Sequence, residues 1–159
     1  MEVQDHSQAG AEALTCTQAS WRDWIAAWVL DSLAAGPDAW GPMQLLMALV
    51  SAHVRLKVTV DGRLAGLLFG ERRAQACEGW VLYLAVHPQF RLRGIARCLL
   101  GEAERLLALP VTKLTVRPSN QIALALYAAT GYGHAERLTR YYPDEDGQVM
   151  VKPRPAPRS

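Results

Sequence analysis

Cysteine is scarce and scattered in this chain. The three residues Cys16, Cys77 and Cys98 are odd in number, far apart and without the spacing of metal ligands, which points to a reduced, cytoplasmic protein with no disulfide framework and no metal site. No uninterrupted apolar run approaches the ~20 residues that cross a bilayer. The opening, MEVQDHSQAGAEALTCTQAS, has acids where a secretory signal has bases and lacks a continuous apolar stretch, so neither export nor a membrane partner is expected. Charge of one sign is also in short supply. A net +2 at pH 7 is too small to imply a nucleic-acid partner.

What is present suits one globular unit. The 159 residues, 50% hydrophobic and 20% charged, suffice for one domain with a core and are too few for two ordinary ones. Residues 1–10 read as a flexible lead-in, 11–152 as the domain, and 153–159, PRPAPRS, as a Pro-rich disordered tail.

One stretch organises the rest: GWVLYLAVHPQFRLRGIARCLL, Gly79 to Leu100. Val81 to Val86 is too short for an ordinary helix and rich in strand formers. His87-Pro88 stops it, Gln89, Arg91, Arg93 and Arg97 surround Gly94, and Ile95, Leu99, Ala103, Leu106 and Leu107 recur at helical spacing. The order is therefore strand, basic glycine turn, helix. Unpaired N–H groups at a helix N-terminus, with arginines beside them, suit a phosphate-bearing ligand.

Around that stretch the pattern predicts alternating elements. A first strand is expected over Ala11 to Thr17, then a helix from Trp21 to about Leu33 capped by Ser20 with Asp23 as its reciprocal partner. Trp21, Trp24, Ile25 and Trp28 share one face of it and are expected to pack on a sheet. A second helix follows, with Pro42 in its first turn, from Met43 to about Ala52. Alternation from Val54 to Val60, the Asp61-Gly62 turn and the apolar run Leu64 to Glu71 make a hairpin whose second strand is central. After the glycine-turn helix, Thr112 to Val116 forms a strand that can lie parallel to Val81–Val86. A helix over Gln121 to Thr130 ends at Gly131, and Gly133 to Tyr142 pairs with Gln148 to Lys152.

RLRGIA, Arg91 to Ala96, fits Arg/Gln-x-x-Gly-x-Gly/Ala. A second pattern follows: Asn120, then Leu126-Tyr127 seven residues on, then Gly131-Tyr132. In that order and spacing the two resemble the signatures of the GNAT superfamily of N-acetyltransferases. The resemblance is specific over about Gly79 to Tyr142 and looks closest to small bacterial members of the YpeA type and the ribosomal-protein N-terminal acetyltransferases. It implies an α/β fold with a mixed central sheet splayed between two parallel strands and flanked by about four helices. It also implies acetyl-coenzyme A as cosubstrate and a primary amine as acceptor, whether protein N-terminus, lysine or small molecule. Homodimers are common among such proteins.

By the same resemblance the main chain of Leu84, Ala85 and Val86 would meet the acetyl and pantetheine part. Arg91, Leu92, Arg93, Gly94, Ile95 and Ala96 would wrap the pyrophosphate, Asn120 would contact the cofactor or fix the helix start, and Tyr127 would be the general acid. Leu92 stands where relatives often have Gly or a basic residue. The base is missing from both usual places, since Thr115 and Trp80 stand where relatives carry Glu. His87, or an acid from Asp144, Glu145 or Asp146, or a water chain, is left for that role, and none is singled out. Asp31, Asp38 and the Asp144–Asp146 run are the acids available to draw a cationic amine. YYPDEDGQVM, Tyr141 to Met150, is similar to a segment of protein N-terminal acetyltransferases, with Gly147 in place of an alanine. Two readings from other classes compete: a catalytically silent acyl-coenzyme A binding module, and a nucleic-acid binder using scattered arginines such as Arg72, Arg137 and Arg140.

Overall fold

The structure, a computed structural model, describes residues 13–156. The expected lead-in over 1–10 and the last residues of the tail lie outside the described residues. Pro153 is not tail: it ends a strand, and Arg154 N donates to Pro110 O at 2.8 Å.

Strand β1 is short, Cys16–Gln18. The expected helix opens with a 3-10 turn at Trp21–Asp23 and continues as α1, Trp24–Ala34. Ser20 N donates to Asp23 Oδ2 at 2.8 Å, the reciprocal half of a capping box, and Lys57 Nζ reaches the other oxygen at 2.6 Å. Helix α2 is Gly41–Ser51. Strands β2, Val54–Val60, and β3, Arg63–Arg73, form the predicted hairpin. Asp61 and Gly62 both adopt positive φ, 48° and 73°, as a tight two-residue turn requires.

Next come β4, Glu78–Val86; α3, Ile95–Leu107; β5, Val111–Val116; α4, Gln121–Ala129; β6, Gly133–Leu138; and β7, Gly147–Pro153. Strand β6 is shorter than expected because Arg140 turns into the left-handed region, φ 52°, where its N–H meets Asp146 Oδ1 at 2.9 Å. Among the described residues these strands form one seven-stranded sheet in the order β1-β2-β3-β4-β5-β7-β6. The neighbours β4 and β5 run parallel, as the intervening helix allows.

The sheet has a core on each face. Helix α3 packs on one through Ile95, Leu99, Leu100, Ala103 and Leu107. It approaches closely because Gly66 of β3 has no side chain: a methyl there would lie 2.5 Å from Ile95 Cγ2 and 2.9 Å from Leu99 Cδ1. Beside it, Cys98 Sγ is 2.6 Å from Cys16 Sγ, which ties α3 to β1, and burial with this neighbour pushes the Cys16 thiol up to about 12. Helices α1 and α2 cover the opposite face through Ala27, Leu30, Leu45 and Leu49 against Leu67, Phe69, Tyr83 and Ala85.

The orientation of α1 corrects the sequence reading. Trp21, Ile25 and Trp28 are 63%, 67% and 45% exposed and do not pack on the sheet, while Trp24 is partly buried against the α1–α2-side core as expected. The buried stripe is Ala27, Leu30 and Asp31. Asp31 fixes it: its carboxylate accepts from Trp40 N at 3.1 Å, Gly41 N at 3.0 Å and Tyr83 OH at 3.0 Å, so the helix must turn this residue inward. Burial, with Asp31 next, raises the Tyr83 phenol far above its usual range, so it is a permanent donor. Asp31 is therefore unavailable to an acceptor.

Gly66→Ala overpacks the α3 seat. It is expected to cost about 1–3 kcal/mol, read as a lower urea midpoint in circular dichroism with an unchanged slope.

Candidate active site

Pairing between β4 and β5 runs from Glu78↔Val111 to Val81↔Leu114 and stops, although both strands continue. The cause lies in β4. Against β3, Phe69 faces Tyr83 but Gly70 faces Val81, which leaves Leu82 as an extra residue, a β-bulge. Val81 consequently joins the α3-side core while Tyr83 joins the α1–α2 side, although residues two apart in a regular strand share a face. Strand β5 stays with β7 through Val116↔Gln148, so β4 is the strand that leaves.

A cleft of about 770 Å3 occupies the opening. Val81 to Leu84 wall one side and Leu114 to Arg117 the other. On the α4 side it meets Asn120, Ala123 and Tyr127; on the α1–α2 side, Asp38, Trp40 and Gln44; Tyr141 and Tyr142 flank it. The cleft thus has residues from both layers.

Of the predicted residues, Leu84 lines the cleft, while Ala85 is buried toward α1–α2 and Val86 ends β4. All three pair with β3, and the backbone groups that alternate away from β3 face the side that β5 has left. Past Val86, His87 is built into the loop. Its N–H meets Ala65 O at 2.8 Å, Nδ1 accepts from Gln89 N at 3.2 Å, and its ring lies 5.3 Å from Phe90. It is not among the residues that line the cleft.

Leu92 and Gly94 both have positive φ, 62° and 79°, and Gly94 is the N-cap of α3. Arg91 and Leu92 make a turn, the amides of residues 94–96 meet no backbone acceptor among the described residues, and the Leu92 side chain projects fully into solvent. Arg93 lies over the Phe90 ring at 5.3 Å and Arg91 Nε donates to Val86 O at 3.4 Å. Neither they nor Arg97 has a carboxylate partner among the described residues. The start of α3 thus presents backbone N–H groups beside three guanidinium groups that no carboxylate takes among the described residues, an arrangement that suits an anion.

Asn120 caps α4, its Oδ1 accepting from Ala123 N at 3.1 Å. The half-buried Tyr127 follows two turns on, with no hydrogen-bond partner for its hydroxyl among the described residues, and burial pushes it up to about 12. The second motif explains its support. Gly131, φ 99°, reverses the chain so that Tyr132 N donates to Tyr127 O at 3.0 Å and the two rings meet edge-on at 5.9 Å.

The acids divide differently from the expectation. Asp146 closes the β6–β7 turn on Arg140 N and on Arg137 Nε at 2.9 Å. Asp38, Asp144 and Glu145 converge on one residue that sequence reasoning passed over, Arg117. Its side chain is 9% exposed and it contacts them at 2.7, 2.6 and 3.1 Å while lying 4.2 Å over the Tyr142 ring. Arg117 lowers the Asp144 carboxyl, Ser119 and then Arg117 lower Glu145, and the three acids hold the guanidinium charged. The available signal was an arginine directly after β5, level with the opening, too ordinary alone.

Thr115 and Trp80 line the cleft and bring no carboxylate. Glu78, near Trp80, is taken by Lys113 and by Trp80 Nε1. Among the described residues Asp38 is the carboxylate in the lining, and both its oxygens accept from Arg117 Nε at 2.8 Å. Gly147 has a steric reason: a methyl there would lie 2.8 Å from Thr115 Cγ2 and 2.9 Å from the Tyr141 side chain.

A mixed sheet opened between its two parallel strands, with a glycine turn feeding a helix at the end of the first, is the GNAT fold. Residues 15–132 match the Acetyltransferase (GNAT) family, and the chain belongs to it. Acetyl-coenzyme A is the cosubstrate of that family. The chain is similar to the ribosomal-protein-S18-alanine N-acetyltransferase of Escherichia coli, with 24% identity over 88% of this chain and 93% of that one, TM-score 0.79. It is also similar to diaminobutyrate acetyltransferase from Paenibacillus lautus, solved with L-2,4-diaminobutyric acid and coenzyme A (20%, 88% and 94%, TM-score 0.75). A third similar structure is Naa50 of Arabidopsis thaliana with a bisubstrate analogue (15%, 88% and 98%, TM-score 0.74).

Arg117→Gln is expected to lower the thermal midpoint at pH 7. Because the Asp144 and Glu145 carboxyls are held low in the fold, what their pairing adds is present above their unfolded values and lost as pH falls through the folded ones. The gap between wild type and variant should therefore narrow toward pH 3 in melts across pH.

Proposed function

We propose that this protein transfers the acetyl group of acetyl-coenzyme A to a primary amine. The observation that carries the reading is the parting of β4 from β5 after Val81↔Leu114, with Tyr127 on the lining of the opening. An extended thioester arm can pair there with the main chain of Leu84, Ala85 and Val86, which β5 has left open. The amides from Leu92 to Ala96, with Arg91 and Arg93, would take the diphosphate, and Asn120 would hold the start of α4 beside it.

In the reaction the amine nitrogen attacks the thioester carbonyl carbon, the C–S bond breaks, and Tyr127 OH gives its proton to the departing sulfur. The nitrogen's surplus proton leaves to water, and the tyrosinate is reprotonated from solvent. A phenol raised to about 12 is protonated throughout the neutral range, as a donor must be. Among the described residues no carboxylate in the lining is free to act as base, so the acceptor's own ionisation is expected to control the alkaline rise in rate.

By their names the neighbours act on an alanine of ribosomal protein S18 and on L-2,4-diaminobutyric acid, and we leave both acceptor classes in play, lysine side chains included. The engaged Asp38 favours one rival, a silent acyl-coenzyme A binding module. Acetyl-coenzyme A consumption across peptide and small-amine panels separates them: binding without turnover on every amine would establish the rival. No helix among the described residues is long and apolar enough to cross a membrane. We infer a cytoplasmic location from the few, scattered cysteines of the sequence.

Tyr127→Phe should cut kcat by roughly 10²–10⁴ and leave the KM for acetyl-coenzyme A within a few-fold. The wild-type kcat/KM should rise through pH 6–9 without a descending limb below about pH 10. An early fall would remove Tyr127 from the acid role.

A further inference from the structure

The outward side of α1 and α2 is unlike an ordinary protein surface. From Trp24 to Ser51 the ionisable side chains are Asp31 and Asp38. The first is buried beneath α1 and the second is turned to Arg117, so neither charges the outer side. That side of α1, with the turn before it, presents Trp21, Ile25, Trp28, Val29 and Leu33, each 45% to 67% exposed. From α2 come Met43, Met47 and Val50, each 57% to 70% exposed. Its hydroxyls are already satisfied: Ser32 Oγ donates to Trp28 O at 2.9 Å and Ser51 Oγ to Met47 O at 2.7 Å. Covering these groups would therefore strip no needed water from them.

We propose that this face is the contact surface of a symmetric dimer, covered by a second copy of the same chain. Area is the first argument. Together these eight residues expose roughly 900 Å2, more than the ~300–600 Å2 of the largest patch on a typical monomer and comparable to the ~800 Å2 per partner of a stable interface. Charge is the second. In a two-fold contact the same patch meets itself, so any formal charge near the axis would face its like; an uncharged face is self-compatible. Arg22, lying 5.7 Å from the Trp21 ring centre, is the cation at the rim. An anionic membrane is a poor fit, because a helix lying in lipid headgroups carries lysine and arginine along its polar side and these helices carry none.

The dimer would also bear on the cleft. Ala34 and Ala35 at the end of α1, and Trp40 and Gln44 at the start of α2, line its acceptor side. A partner pressing on the outer faces would hold these inner residues in place.

The test is light scattering and sedimentation of the full chain from 1 to 50 μM at physiological salt. The expected mass is twice 17.5 kDa, and Trp28→Glu and Met47→Glu should each shift it toward one chain, with circular dichroism and acetyl-coenzyme A affinity unchanged. Dilution of the wild type should move tryptophan emission to longer wavelength as the outer indoles become wet. A wild type that is monomeric throughout that range, whether or not it binds another protein or neutral or anionic phosphatidylcholine-based vesicles, would overturn the proposal. So would a dimer that both variants leave intact, or open-ended aggregates in place of a defined dimer.

Discussion

Everything at the site follows from one extra residue in β4. Without Leu82, the ladder with β5 would continue toward Val86 and the backbone there would be satisfied on both sides. With it, the strand bends, the side-chain alternation reverses, and the last residues of β4 keep β3 as their only partner strand. An opening of this kind leaves polar backbone groups that must find a partner, and an extended ligand is one that does not need complementary side chains. The cleft is thus specified by the main chain, while the lining supplies the chemistry.

The elements carrying that chemistry are held by separate devices. Tyr127 is buttressed from its C-terminal side by the Gly131-Tyr132 reversal and positioned from its N-terminal side by the Asn120 cap. Across the sheet, Arg117 joins the α1–α2 linker to the β6–β7 loop through Asp38, Asp144 and Glu145. One guanidinium thus gathers two loops distant in sequence around the acceptor side. Its five donors in a fixed fork suit that task as a lysine would not.

Much of this was legible in advance where it rests on local chemistry. The glycine turn before α3, the Asp61-Gly62 hairpin, Asn120 as a cap and Gly131 as a left-handed stop are each decided within a few residues. The parallel pairing of β4 and β5 followed from the helix between them. The bulge was not legible, because Val81 to Val86 reads as an unbroken apolar strand and only the register against β3 shows the extra residue. The rotation of α1 was missed because its aromatics carry the apolar signal, while a single buried carboxylate with three donors outweighs them. Arg117 escaped because its partners are far away in sequence and meet only after folding.

The missing methyl at Gly66 makes the fold a ruler. Its position opposite Val86 sets the height at which the first turn of α3 rests on the sheet, and so the interval from the cradle at 92–96 to the gap beside Leu84. Under the acetyltransferase reading that interval measures the arm between a diphosphate and a thioester. Selectivity for one cofactor length would then reside in a residue that never touches the cofactor.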